Sequence, residues 1–282
     1  MTGTLYLVPT PIGNLGDISP RSAETLQKVD FIAAEDTRVT LKVLNHLGLR
    51  KPLASYHRHS GERSAAAIVE RLLAGESCAL VTDAGTPAIS DPGEELVRLC
   101  VERGILVESL PGPCALIVAL TLSGLPTVRF TFEGFLPTNK KNRRAQLAQL
   151  KNEVRTMIFY EAPHKLTDTL NDLRAAFGAD RRIALCRELT KLHEEVRRTT
   201  LGEAVADYTE GDLEPRGEYV LVVEGACPQT EDSPTVEDGA CRVEELQKDG
   251  MSLRDAIKQA AKELELSKNE LYHFMLDLGR NS

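Results

Sequence analysis

Residues that could do chemistry concentrate in one stretch, residues 79–93, which reads ALVTDAGTPAISDPG. Two carboxylates, Asp83 and Asp91, stand here with Gly85 and Thr86 in a loop that follows an apolar run. Glycine lets a backbone approach a ligand closely, and proline limits the conformational entropy that a loop loses on binding. The stretch therefore suits a ligand held by backbone groups, hydroxyls and carboxylates, although an isolated Gly-Thr-Pro is more often an ordinary turn.

Two further loops have the same character. PTPIGNLGD at residues 9–17 and PGPCA at residues 111–115 also follow apolar runs. None of the three loops contains a P-loop lysine or a GxGxxG pattern, and their few cations argue against a triphosphate ligand. Their groups fit a ligand with ribose, adenine and amino-acid parts. S-adenosylmethionine matches that description, and so do other nucleosides.

The elements that must position these loops alternate along the chain. Apolar runs predict strands at residues 4–8, 31–34, 53–56, 79–81 and 105–109, and helical patterns separate them. Alternating strands and helices predict a mainly parallel sheet, whose carboxyl ends share one rim. Three unusual loops at that one rim make a stronger signal than any of them alone.

Other polar side chains are expected at strand ends. Asp36 and Arg38 follow the second strand, and His57 and His59 follow the third. A carboxylate and a guanidinium together can orient a hydroxyl and a phosphate, which makes Asp36 and Arg38 the first candidates. The alternative is a salt bridge that braces the loop. Glu161 and Glu188 follow two strands later in the chain and are further candidates for acid–base work.

The chain divides into four parts by its pattern. We predict an N-terminal α/β domain at residues 1–124, a C-terminal α/β domain at 125–225, an acidic linker at 226–239 and a helical extension at 240–282. The extension resembles a helix-turn-helix unit, with Ser252 and Ser267 as helix caps. A small helical cap that merely packs on the body is an equally good interpretation.

Composition excludes some classes of protein. The 282 residues carry a formal net charge of −8, which argues against a generally basic nucleic-acid coat. A local basic run, KKNRR at residues 140–144, is a candidate RNA contact, and a solvated face is the plainer explanation. The six cysteines are scattered with no CxxC pair, so neither a zinc site nor a disulfide framework is indicated, and a reducing cytoplasm fits. No signal peptide or membrane span is expected.

Five motifs carry a family resemblance. LYLVPTPIGNLGD, AAEDTR, VTDAGTPAISDPG, PGPCA and FYEAPHK occur in this order. Together they resemble the tetrapyrrole methylase superfamily, and specifically the ribosomal RNA small subunit methyltransferase I family, over roughly residues 4–225. The resemblance implies two α/β domains with S-adenosylmethionine between them. Tetrapyrrole relatives carry Gly-Asp-Pro where this chain has Gly-Thr-Pro, so Thr86 replaces their aspartate. Asp83 or Asp91 is therefore expected to help hold the charged part of the cofactor.

The resemblance also implies an activity and a site. The expected reaction is methylation of the ribose 2′-hydroxyl of a cytidine in the decoding region of 16S ribosomal RNA, within the small ribosomal subunit, by a homodimer without a metal. The implied cofactor residues are Pro9, Ala84, Gly85, Thr86, Ile89, Cys114, Ala115, Glu161 and Leu189. The catalytic candidates are Asp36, Arg38 and Glu161. The RNA-binding candidates are Lys140, Lys141, Arg143 and Arg144.

Two other functions remain open. One is methylation of a tetrapyrrole or of a diphthine precursor, against which Thr86, the basic run and the helical extension all count. The other is a nucleoside- or RNA-binding module without turnover.

Overall fold

The computed structural model describes residues 2–57, 61–209, 211, 213–227, 236–264 and 266–280. Residues 61, 62 and 276–280 are described by their backbone only. The chain forms two compact units, Met1–Ala226 and Cys227–Ser282. The first unit contains two sheets, and the second contains helices. No described helix is both long and apolar enough to cross a membrane.

The first sheet is parallel throughout. Its strands are β1 (Thr4–Leu7), β2 (Phe31–Ala34), β3 (Leu53–Ser55), β4 (Cys78–Val81) and β5 (Leu106–Ser109). They lie in the order β3-β2-β4-β1-β5. Strands β2 and β4 are buried at every position, as continuous apolar runs in parallel sheets are. The carboxyl ends therefore meet at one rim, as predicted.

Helices follow the strands. They are α1 (Pro20–Lys28), α2 (Thr37–His46), α3 (Gly61–Leu73), α4 (Glu94–Glu102) and α5 (Ala115–Ser123). Ser19 caps α1, because its hydroxyl accepts a hydrogen bond from the Ser22 N–H at 3.0 Å. The carboxylate of Asp36 caps α2 by accepting from the Arg38 N–H at 2.8 Å.

The second sheet is mixed. Its strands are β6 (Phe130–Phe135), β7 (Thr156–Glu161), β8 (Arg182–Arg187), β9 (Glu195–Thr200) and β10 (Tyr219–Val223). They lie in the order β6-β7-β10-β8-β9. The last strand, β10, inserts between β7 and β8 and is antiparallel to both. The accompanying helices are α6 (Lys140–Leu150), α7 (Leu166–Phe177) and α8 (Leu201–Thr209).

Helix α5 belongs to the first sheet by sequence and to the second by packing. It follows β5 and ends at Gly124, whose φ of 73° is left-handed. Its buried residues Leu116 and Leu120 share one core cluster with Ala184 and Val220 of the second sheet. The two sheets are therefore joined by a packed helix, and residues 1–124 do not contain the whole core that they help to form.

The second unit is a three-helix arrangement over its described residues. Its helices are α9 (Val236–Lys248), α10 (Leu253–Glu263) and α11 (Lys268–Arg280). Val243, Ile257 and Leu271 lie in its core. Both predicted helix caps are present. The Ser252 hydroxyl accepts a hydrogen bond from the Asp255 N–H at 3.3 Å, and the Ser267 hydroxyl accepts one from the Glu270 N–H at 3.4 Å. Helix α9 begins inside the predicted linker, of which residues 228–235 lie outside the described residues.

Candidate active site

A cavity of about 470 Å³ lies at the carboxyl rim of the first sheet and is closed by loops of the second. Of the predicted cofactor residues, its lining contains Ala84, Gly85, Thr86, Ile89, Cys114, Ala115, Glu161 and Leu189. The remaining one, Pro9, is not in the lining. It packs on the third loop instead, so closely that a Cβ added at Gly112 would lie 2.6 Å from the Cβ of Pro9.

The three loops that form one side of the cavity are bonded to each other. Thr10 and Gly85 exchange two backbone hydrogen bonds, with N–O distances of 2.9 and 3.0 Å. The Thr86 hydroxyl donates to the Pro113 carbonyl at 2.9 Å. Gly85 has a φ of 91°, which explains why glycine is needed there. The N–H and carbonyl of Gly85 are thus both hydrogen-bonded to the first loop. From the sequence, this backbone was expected to approach a ligand closely instead.

Strained backbone borders the cavity on two sides. In the described chain, the non-glycine residues with positive φ are Ala88 (67°), Ser90 (64°), Glu188 (50°) and Thr190 (64°). The first two belong to the central loop and the last two to the loop after β8, which faces it. Such conformations cost about 1–3 kcal/mol each and tend to cluster at functional sites.

The first loop and the loop after β8 are in close contact. A Cβ added at Gly13 would lie 2.4 Å from Cγ of Lys191 and 2.8 Å from Oγ1 of Thr190. No side chain fits between them, so Gly13 is what allows the two loops to touch.

Carboxylates dominate the charged groups of the lining. They are Glu35, Asp83, Asp91, Glu161 and Glu218, and the one cation among the lining residues is Lys191. Its ammonium donates at 2.8 Å to Oε1 of Glu188 and at 2.8 Å to Oε2 of Glu218. An acidic lining of this kind favours a ligand that carries positive charge.

Asp83 stands beside a second carboxylate at this rim. The Glu35 carboxylate accepts from the Thr82 hydroxyl at 2.7 Å, and Asp83 accepts from the Asp36 N–H at 3.0 Å. Burial raises the pKa of Asp83, and the charges of Glu35 and Asp36 add to that rise. A raised pKa makes the Asp83 carboxylate a stronger base than an ordinary aspartate.

Glu161 is buried at the end of β7. Its side chain is 4% exposed, and one oxygen accepts from the Ala162 N–H at 2.9 Å. The other oxygen accepts from the Thr169 hydroxyl. Thr169 in turn accepts from Nη2 of Arg143 at 2.9 Å.

Arg143 therefore departs from the predicted basic cluster. It is 6% exposed, and its Nε lies 2.6 Å from a carboxylate oxygen of Asp172. The reason is helical geometry, because the fourth residue after the α6 cap at Asn139 points inward toward α7. Lys140, Lys141 and Arg144 are exposed, as an RNA contact requires.

Asp36, Arg38 and His57 do not line this cavity. The Arg38 guanidinium holds the pKa of Asp36 down to about 2 through hydrogen bonds to its side chain. The Arg38 side chain itself is 87% exposed. His57 borders a separate cavity of about 400 Å³ beside Tyr56, and Asp91 lines both cavities. His59 lies outside the described residues.

Several lining residues were missed by sequence reasoning. Glu35 lies next to the predicted Asp36, and Tyr160 lies next to the predicted Glu161. The motifs therefore indicated the right loops, but not every residue of each motif that faces the cavity. The Tyr160 hydroxyl accepts from the Leu116 N–H at 3.2 Å, at the start of α5. Lys191 and Glu218 gave no signal, because the pairing that brings them together depends on β10.

The start of α5 offers donors for an anionic group. Its cap residue, Cys114, makes no side-chain capping bond, and Cys114 and Ala115 line the cavity. The N–H groups and the positive dipole end of a helix favour a carboxylate. Within the described residues, no group of three His, Cys, Asp or Glu side chains could hold a metal ion.

Comparison with known proteins gives two concordant results in sequence. The profile of the tetrapyrrole (corrin/porphyrin) methylases matches residues 4–205. Ribosomal RNA small subunit methyltransferase I of a Synechocystis strain is 48% identical over 276 residues, covering 98% of both chains. The protein of the same name from Escherichia coli O157:H7 is 46% identical over 275 residues, covering 98% of this chain and 95% of that protein.

Solved structures share the fold at low identity. Diphthine synthase matches with a TM-score of 0.60 and 14% identity, over 79% of this chain and 90% of that one. Uroporphyrin-III C-methyltransferase of Thermus thermophilus, complexed with S-adenosylhomocysteine, matches with a TM-score of 0.56 and 18% identity. That match covers 79% of this chain and 97% of the other.

Proposed function

The chain belongs to the ribosomal RNA small subunit methyltransferase I family of tetrapyrrole methylases, and on that premise we propose that it methylates 16S ribosomal RNA with S-adenosylmethionine. The finer proposal is transfer to the ribose 2′-hydroxyl of a cytidine in the decoding region. The observation that carries the proposal of 16S ribosomal RNA methylation is identity of 46–48% over 98% of the chain to proteins named ribosomal RNA small subunit methyltransferase I. The solved uroporphyrin-III C-methyltransferase is only 18% identical to this chain.

The residues present fit this cofactor. The cavity volume of about 470 Å³ falls in the ordinary range of small-molecule sites. Carboxylates suit the ammonium and the ribose hydroxyls, and the start of α5 suits the carboxylate. The Thr86 hydroxyl is committed to the Pro113 carbonyl. Of the two carboxylates expected to hold the charged part of the cofactor, we keep Asp91 for that role and assign Asp83 to the proton of the substrate.

The chemistry needs positioning and a proton acceptor. The bound cofactor supplies an already activated methyl group, so the protein mainly has to align the two reactants. We assign the proton of the ribose hydroxyl to the carboxylate of Asp83, whose pKa is raised by burial. Asp36, with a pKa of about 2, is a poor base. Arg38 stays a candidate for a phosphate at the rim, and Glu161 for cofactor contact.

A methyl-transfer assay tests the activity. Small ribosomal subunits that lack the modification, naked 16S ribosomal RNA and a tetrapyrrole are each incubated with the protein and labelled cofactor. We expect label in RNA, recovered after nuclease digestion as 2′-O-methylcytidine. Label on a base would overturn the proposed transfer to the ribose 2′-hydroxyl. Label only in the tetrapyrrole would overturn the proposal that the substrate is 16S ribosomal RNA.

The role of Asp83 has its own measurement. Asp83→Asn should lower the rate of transfer by about 10²–10⁴-fold, the range for loss of a general base. Cofactor affinity, measured by calorimetry, should change far less. Asp180→Asn, at an exposed site, is the control. Equal rates for Asp83→Asn and the unaltered protein would remove Asp83 from the mechanism.

Two further parts of the proposal concern assembly and RNA contact. We propose a cytoplasmic homodimer, for which sedimentation at assay concentrations is the test. The proposed RNA contacts on α6 are Lys140, Lys141 and Arg144, without Arg143.

A further inference from the structure

Helix α10 of the second unit carries three cations along one side. Arg254, Lys258 and Lys262 are spaced at i, i+4 and i+8, which places them in a row on a helix, and all three are exposed. The row is about 12 Å long at 1.5 Å per residue. The buried side of the helix contains Ile257 and Ala260.

The acidic side of the same helix is fully engaged. Glu263 accepts at 2.9 Å from Nε of Arg242 on α9 and at 2.9 Å from the Gln259 amide. Asp255 accepts from the Ser252 hydroxyl at 2.6 Å at the helix cap. By contrast, Arg254, Lys258 and Lys262 have no ion pair or side-chain hydrogen bond within the described residues.

This arrangement is unfavourable for the isolated helix. Like charges four residues apart repel each other, and here two such pairs follow in succession. Asp255 lies three residues before Lys258, but its carboxylate accepts from the Ser252 hydroxyl at the helix cap and makes no ion pair with Lys258 within the described residues. An external polyanion removes the repulsion and uses all three charges.

We propose that Arg254, Lys258 and Lys262, hereafter the α10 stripe, form a docking surface for the phosphate backbone of the small-subunit ribosomal RNA. The inference rests on the proposed function for the identity of the polyanion. Phosphate contacts hold a protein on RNA without reading its sequence. The stripe thus contributes affinity for the substrate and leaves the choice of nucleotide to the first unit.

Salt dependence distinguishes this surface from other kinds of contact. Each phosphate contact made by a cation releases counterions and contributes about 0.7 to the slope of log K against log salt on single strands, and about 0.9 on duplexes. Loss of three contacts should therefore lower the slope by roughly two to three. The affinity loss should be roughly a hundredfold at about 0.1 M salt and should vanish near 1 M.

The test uses the full chain with Arg254→Gln, Lys258→Gln and Lys262→Gln combined. Glutamine keeps helix propensity and length, so the circular dichroism and melting temperature should not change. Binding to small subunits and to naked 16S ribosomal RNA is measured at several salt concentrations. The control combines Lys28→Gln, Lys42→Gln and Arg50→Gln, three exposed cations of the first unit. Cofactor affinity should be unaltered in both variants.

The outcomes separate the inference from the proposed function. Weaker binding with a lower slope in the α10 variant alone supports the α10 stripe. Equal losses in both triple variants, or no loss in either, overturn it while leaving the methyltransferase proposal intact. A loss on whole subunits with an unchanged slope also overturns it, because the contact would then not be to phosphates. Absence of any binding by the unaltered protein would instead contradict the proposed function.

Discussion

Single residues of one motif have separate tasks in this molecule. In KKNRR, Arg143 is buried and bonded to Thr169 and Asp172, whereas its neighbour Arg144 is exposed. In AAEDTR, Glu35 lines the cavity, and Asp36 caps α2 and pairs with Arg38. The sequence indicates that such a motif lies at a strand end, but not the direction in which each side chain points.

Arg143 and Arg144 allow a matched prediction. Arg143→Ala should lower the free energy of unfolding by about 1.5–3 kcal/mol, because it removes the buried guanidinium that donates to Thr169 and pairs with the half-exposed Asp172. Arg144→Ala should change it by no more than about 0.5 kcal/mol, as exposed substitutions usually do. Urea denaturation measures both. Similar values for the two variants would mean that the buried network contributes nothing.

At the scale of elements, the loops were predictable and their conformation was not. The Gly- and Pro-rich composition of residues 9–17, 79–93 and 111–115 located all three, and the first sheet is parallel as expected. The positive φ angles of Ala88 and Glu188 had no signature, since neither residue type favours them. The insertion of β10 between β7 and β8 is a long-range pairing that a local pattern does not encode.

Gly85 gives the prediction for the loops. Gly85→Ala should lower the free energy of unfolding by about 1–3 kcal/mol, because its φ of 91° is left-handed. A change in the backbone conformation at residue 85 should also weaken the hydrogen bonds to Thr10 and, with them, cofactor binding. Gly104→Ala is the control, since its φ is 68° and no atom lies within 4 Å of the added Cβ. It should lose stability and keep cofactor affinity, as measured by calorimetry. Parallel losses of affinity in both would show that strain alone is responsible.

The whole molecule consists of two units with separate cores. The cavity lies in Met1–Ala226, and the α10 stripe lies in Cys227–Ser282. A ligand that binds only the folded first unit should stabilise that unit by mass action.

Hydrogen exchange can measure this separation. With S-adenosylhomocysteine at about 100 times its Kd, amides of β1 and β4 that exchange through global unfolding should gain about 2.7 kcal/mol of protection. Amides in the core of α9 and α10 should exchange at the same rate as before. Equal added protection in both units would mean that they unfold as one.

The packing of α5 also bears on how the protein is made. By the time residue 124 has been synthesised, the chain already contains this apolar helix, but the strand β10 that helps to cover it ends only at Val223. For about a hundred further residues, which take roughly 5–20 s at ordinary elongation rates, Leu116 and Leu120 lack part of their native surroundings. A chain that stops at the apparent domain boundary should therefore be a client of chaperones rather than a folded half-protein, and splitting the gene there should yield two insoluble products.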